Sequence, residues 1–183
     1  MKKIFILSAL VLLTACQRSP NLPSKPTTLP AETAEEVSSI DLALIALGDG
    51  TIVSGPQFIG CGDTIQLVES SSLKHKTTDE ELIQAALGAL FQVESSTYGE
   101  SGLYNALYQS ELSVNSVTLS DDKKTVMVAL TGTIASGGIC DDPRIEAQIL
   151  ETIKANSPEE ANVSVTIDGK DLHEYFDMSG GQE

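Results

Sequence analysis

Tryptophan is absent from this 183-residue chain, and tyrosine and phenylalanine number only four each. A ligand cleft walled by stacked rings, as in many sugar-binding sites, is therefore disfavoured. The core has to be aliphatic, and Val, Ile, Leu and Ala are plentiful enough to build it. Basic residues are scarce as well: 11 Lys and Arg stand against 26 Asp and Glu, a net charge of −15. That balance argues against nucleic acid, whose binding rests on Lys and Arg at phosphates. It also argues against charge-driven adhesion to an anionic membrane surface. The two histidines, His75 and His173, are isolated, and no cysteines stand at C-x-x-C spacing, so no metal or other cofactor is expected. The apolar run near the start, Ile4 to Leu13, has ten residues with only Ser8 polar. As a helix it would cross about half of a hydrocarbon core, too little for a membrane span.

What is present begins with that run. Lys2 and Lys3 precede it, and Leu13-Thr14-Ala15-Cys16 closes it on small residues, the layout of an export signal. A cysteine directly after such a signal resembles the bacterial lipobox. The resemblance implies a lipid on Cys16, cleavage before it, and anchorage of the chain to a membrane through that lipid. The alternative is an ordinary secretory signal that happens to contain a cysteine. Loss of residues 1–15 would remove Lys2 and Lys3 and no acid, taking the net charge from −15 to −17. Gln17 follows Cys16, so the aspartate linked to inner-membrane retention is missing. The expected location is extracytoplasmic: the outer face of the cell membrane, or the periplasm and outer membrane where two membranes exist.

Setting Cys16 aside leaves an even pair, Cys61 and Cys140, for which a disulfide is the default expectation in an exported protein. Closing that loop would remove on the order of 4 kcal/mol of unfolded-state entropy. Residues 16–38 read as a tether, with Pro20, Pro23, Pro26 and Pro30 among Ser, Thr, Asn and Gln. Residues 39–176 carry the periodicity of a folded domain, and 177–183 form a polar tail.

Within the domain, Ile40 to Leu47 is an apolar strand stopped by Gly48-Asp49-Gly50, and Thr64 to Val68 a second short strand. Thr78 with Glu81 makes a capping box, opening a helix to about residue 93 with Leu82, Ala86, Ala89, Leu90 and Val93 at helical spacing. Leu112 to Leu119 breaks its alternation between Val114 and Val117, which predicts a bulge or a change of buried face. Ser120 to Lys123 is turn chemistry before a returning strand, Thr125 to Leu130. Asp142 and Pro143 predict the N-cap and first residue of a second helix, with Ile145, Ile149 and Ile153 on its buried face. Asn156 and Pro158 end it, and Val163 to Ile167 is a last strand. The order β(β)-α-β-β-α-β predicts an α+β fold, with two helices on one face of a mixed, mainly antiparallel sheet.

The same segments carry a family resemblance. Ile45-Ala46-Leu47, Gly60-Cys61-Gly62-Asp63, Gly102 to Leu107, the hairpin Val114 to Leu130, Cys140-Asp141-Asp142-Pro143-Arg144 and Val165 to Lys170 follow one another as in a GerMN domain, the module of sporulation and spore germination proteins. The resemblance implies an extracytoplasmic α+β domain, often lipid-tethered, without established catalytic residues. It also implies a role as an interaction module that binds an envelope protein or peptidoglycan.

Two patches are candidates for contact. The disulfide would draw Asp63, Asp141 and Asp142 together with Arg144, either as a ligand site or as a cap, a turn and an ion pair; no calcium-loop spacing favours a cation. An enzyme acting on wall material could use the same three carboxylates as acid and base, provided that they face a cleft. Leu103, Tyr104, Leu107 and Tyr108 could form an apolar contact surface, but their spacing also describes a short amphipathic helix on the core. A Cys61 nucleophile paired with His75 or His173 lacks a nucleophile elbow, and since the lipobox resemblance implies a bacterial protein, the sequon at Asn162 is read as coincidental. No catalytic residue is assigned, and the chain is read as a binding module rather than an enzyme.

Overall fold

The computed structural model describes residues 38–48, 59–73 and 77–176, all within one compact unit. Cys16, His75, the signal, nearly all of the tether and the 177–183 tail lie outside the described residues. The fold is α+β. Strands β1 (Ser38–Ala46) and β2 (Thr64–Leu73) form an antiparallel pair, followed by helix α1 (Asp79–Phe91). Then come β3 (Glu111–Leu119), β4 (Thr125–Thr133), helix α2 (Asp141–Ala155), β5 (Asn162–Ile167), β6 (Lys170–Asp171) and the short helix α3 (Leu172–Phe176). The single expected sheet is two: β1-β2, and a four-stranded sheet in the order β3-β4-β5-β6. Among the described strands only β4 and β5 run parallel, as α2 is the crossover between them. The β6–α3 extension has no counterpart among the expected elements.

Core placement follows from local pattern. The Thr78–Glu81 capping box closes both ways, with Glu81 N–H on Thr78 Oγ1 and Thr78 N–H on Glu81 Oε2. The buried stripe of α1 is Ile83, Ala86, Leu87 and Leu90. This is rotated from the expected face: Leu82, Ala89 and Val93 are only half-buried. The bulge in β3 lies between Val114 and Ser116, and it returns Val117 and Leu119 to the side of Leu112 and Val114. Those residues join Val126, Val128 and Leu130 of β4 and the α2 isoleucines in one core, so both long helices cover one face of the larger sheet. β1 is buried on both faces, Leu42 and Leu44 entering that core and Ala43 and Ile45 a second cluster with Ile65.

From Asp41 to Ala43 the edge of β1 is covered by side chains instead of a strand. Gln148, Thr152 and Asn156 sit one α2 turn apart. Thr152 Oγ1 accepts the Ala43 N–H at 2.9 Å and Gln148 Nε2 donates to the Ala43 carbonyl at 3.1 Å. Asn156 exchanges two bonds with the Asp41 backbone, at 3.1 and 2.7 Å. Four helical residues rise about 6 Å and two strand residues about 6.6 Å, so Thr152 and Asn156, one turn apart, meet Ala43 and Asp41, while the longer Gln148 side chain reaches the Ala43 carbonyl from the turn before. Thr152→Val keeps the shape but strands the buried Ala43 N–H. It is expected to cost about 1–3 kcal/mol, read as a lower urea midpoint at unchanged slope.

Two local expectations are corrected. Leu103 to Tyr108 is not a helix; Tyr104 instead bridges Ile45 and Thr97 as extended backbone, with N–H···O bonds of 2.9 and 2.7 Å to Ile45. Buried Asn105 fixes this strap by donating to the Val93 carbonyl at 2.8 Å and by accepting from Gln148, which outweighs local helical spacing. Helix α2 begins at Asp141 with Cys140 at its N-cap, so Asp142 is not the cap and Pro143 is the third helical residue. The reason is a turn at Gly138, whose carbonyl already accepts the Asp141 N–H at 2.7 Å.

Candidate functional site

The end of β1, the start of β2, the Tyr104 strap and the first turn of α2 converge on Arg144. Cys61 and Cys140 are disulfide-bonded, with Cα atoms 5.7 Å apart and a sequence separation of 79. Cys61 sits at φ 62°, an unfavourable region for a side-chain-bearing residue, inside the turn Gly60–Gly62. Gly48 approaches that turn so closely that a Cβ there would lie 2.4 Å from the Gly62 carbonyl oxygen. Only glycine fits.

This close approach seats Asp63, which is 1 % exposed. Its Oδ1 accepts the Gly48 N–H at 2.7 Å and its Oδ2 accepts Arg144 Nε at 2.6 Å. Arg144 Nη1 donates to Asp141 Oδ1 at 2.8 Å. Asp141 also accepts the Gly137 N–H at 3.2 Å and the Tyr104 hydroxyl at 3.3 Å. The Tyr104 ring lies under the guanidinium, 5.4 Å from Cζ, and meets Tyr108 edge-on at 6.3 Å. Asp142 takes no part and accepts a bond from Ser136 Oγ. Two carboxylates against one guanidinium leave a surplus negative charge, and Asp141 in the first turn of α2 is favoured there by the helix dipole.

Burial opposes the charge on Arg144, but the hydrogen bonds and charges of Asp63 and Asp141 outweigh it and raise its pKa above the ordinary arginine value. Burial, then the negative charge of Asp141 and the bond donated to it, push the Tyr104 phenol above 10.0. A folded-state pKa raised this way supplies stability that is complete below the unfolded value and is lost as pH rises through the folded one. Tyr104→Phe is therefore expected to cost about 1 kcal/mol at pH 7 and to flatten the loss of stability above pH 10. Urea midpoints for both proteins at pH 7, 9 and 11 check this, and parallel curves would refute it.

Chemically, the cluster is a clasp. Both oxygens of Asp63 and of Asp141 are engaged, and a phenol with a raised pKa is poorly suited to act as a base or nucleophile. Among the described residues no group of three or more His, Cys, Asp and Glu is placed to hold a metal. The expected patch residues Asp63, Asp141, Arg144, Tyr104 and Tyr108 do come together, whereas Asp142 and the exposed His173, 3.1 Å from Glu146, lie outside the clasp. The sequence reading missed Gly48, Asn105 and the Gln148-Thr152-Asn156 stripe. Its signal was polar residues repeating every four positions beside the isoleucines of α2.

The fold and the clasp thus define a disulfide-locked α+β domain whose polar cluster joins its chain segments. The family described as Germane, sporulation and spore germination, matches residues 61–173, more than half of the chain. The chain belongs to that family. A solved structure from Clostridium perfringens, provisionally described as a lipoprotein, aligns at 20 % identity over 72 % of this chain and 76 % of that one, with a TM-score of 0.36. Curated proteins yield no significant match. Among the described residues no helix is long and apolar enough to cross a membrane.

Proposed function

We propose that this Germane-family domain is a lipid-anchored, extracytoplasmic interaction module of the bacterial envelope that binds an envelope protein or wall polymer. The observation that carries the reading is the Cys61–Cys140 disulfide behind the lipobox-like Cys16, since such bonds persist in oxidising compartments. The Arg144 clasp supports binding over catalysis, because both oxygens of Asp63 and of Asp141 are already engaged in hydrogen bonds. An acid–base role for Asp63, Asp141 and Asp142 has less support: two are committed to Arg144 and the third to Ser136. The test is crosslinking in the native envelope followed by mass spectrometry, with palmitate labelling of the intact chain and of Cys16→Ser. The expected result is Cys16-dependent label and a recurrent crosslinked partner or wall fragment. Absence of both a partner and retention on wall would overturn the reading.

A further inference from the structure

The two sheet edges formed by β1 and β3 are treated differently. From Asp41 to Ala43 the edge of β1 is closed by Gln148, Thr152 and Asn156, whereas no strand among the described residues pairs with the outer edge of β3. An edge strand turns about half of its backbone N–H and C=O groups outward, a template for another chain. β3 carries no Pro and no Lys to block pairing; its one irregularity is the bulge between Val114 and Ser116.

A groove runs along this edge. One stretch, of about 390 Å³, lies between Gln84, Gly88 and Phe91 of α1 and Leu112, Ser113 and Val114 of β3. A second, of about 550 Å³, shares Phe91, Leu112 and Ser113, takes in Glu94 and Glu111 at the start of β3, and reaches Thr131 and Gly132 of the paired strand β4. Gly88 is the unexplained residue here. Glycine inside a helix is destabilising relative to alanine, and a Cβ at Gly88 would meet nothing within 4 Å. Internal packing does not require it. Its effect is to deepen the groove on the side where another chain would lie. Among the described residues lining either stretch the charged ones are Glu94 and Glu111, both acidic, so the complementary occupant is basic.

We infer that the β3 edge binds an extended, positively charged peptide segment of a partner protein by strand addition. Its alternate apolar side chains would enter the groove at Gly88 and Phe91, and its basic side chains would face Glu94 and Glu111. This rests on the interaction-module reading and names the chemistry of its partner.

The probe is a ten-residue peptide alternating Val and Lys, with an alternating Val and Glu peptide as control, titrated into the full chain in neutral detergent with amide NMR as readout. The expected result is that the Val-Lys peptide alone shifts and protects amides of Leu112 to Val117. Gly88→Gln, which fills the groove, should weaken binding at least about tenfold while the melting temperature stays level or rises. Four results would overturn the proposal: no binding, equal binding of both peptides, shifts confined to another surface, or indifference to Gly88→Gln. Concentration-dependent shifts at β3 without peptide would also overturn it, assigning the edge to a second copy of this chain. None of these touches the module reading, which the envelope crosslinking tests separately.

Discussion

Arg144→Met is expected to destabilise the domain by about 3–5 kcal/mol, because it leaves Asp63 as an uncompensated buried charge. The Asp63 side chain is 2 % exposed and that of Arg144 16 %, so water cannot replace the lost partner. Against a total stability of about 5–15 kcal/mol this is a large fraction, and the melting temperature should fall by about 10 °C or more. Arg144→Lys should recover only part of the loss. An ammonium is a point charge, whereas the guanidinium reaches Asp63 through Nε and Asp141 through Nη1 at once. Asp63→Asn in the Met background should restore stability, since the amide can still accept from Gly48 and the stranded charge is gone. A double-mutant cycle measures that coupling. If Arg144→Met alone costs less than about 1 kcal/mol, the clasp is a surface pair and its structural role fails.

The legibility of this fold follows the range of the interactions that shape it. The capping box at Thr78 and the turn before β4 are settled within a few residues, and both are readable directly. The β3 bulge was readable as a broken alternation, although only pairing with β4 decided that it restores the buried face. Helix α1 was placed correctly but its stripe was rotated, because Leu82 and Val93 are as apolar as the residues that the core selects. The strap at Tyr104 misled local reasoning: its spacing fits a helix, but pairing with Ile45 and the bonds of Asn105 to Val93 and Gln148 come from distant segments. The same holds for Asp142, a good cap by type, displaced by a backbone turn at Gly138. Cysteine arithmetic brought Asp63 and Arg144 into one patch. Which carboxylates Arg144 would bond depended on the Gly48 approach, for which local sequence carries no signal.

Replacing Cys61 and Cys140 together by serine is expected to cost about 4 kcal/mol by loop closure over their 79-residue separation. The signature should differ from that of Arg144→Met. Removing the crosslink lets the unfolded chain expand, so the urea slope should rise as the midpoint falls, whereas the Arg144 variant should lower the midpoint alone. The disulfide also has a native-state role. Cys61 is held at φ 62° two residues before Asp63, and Cys140 stands four before Arg144, so the bond anchors both partners of the ion pair. Without it, the turn at Gly60–Gly62 can relax towards commoner backbone angles, and Asp63 is no longer pinned under Gly48. Losses from the cysteine pair and from Arg144→Met should therefore be less than additive, as expected for groups sharing one junction. Urea unfolding of the single, paired and combined variants measures this. Strict additivity would reduce the disulfide to an unfolded-state tether, and two reactive thiols at Cys61 and Cys140 in the native chain would remove the bond from the account altogether.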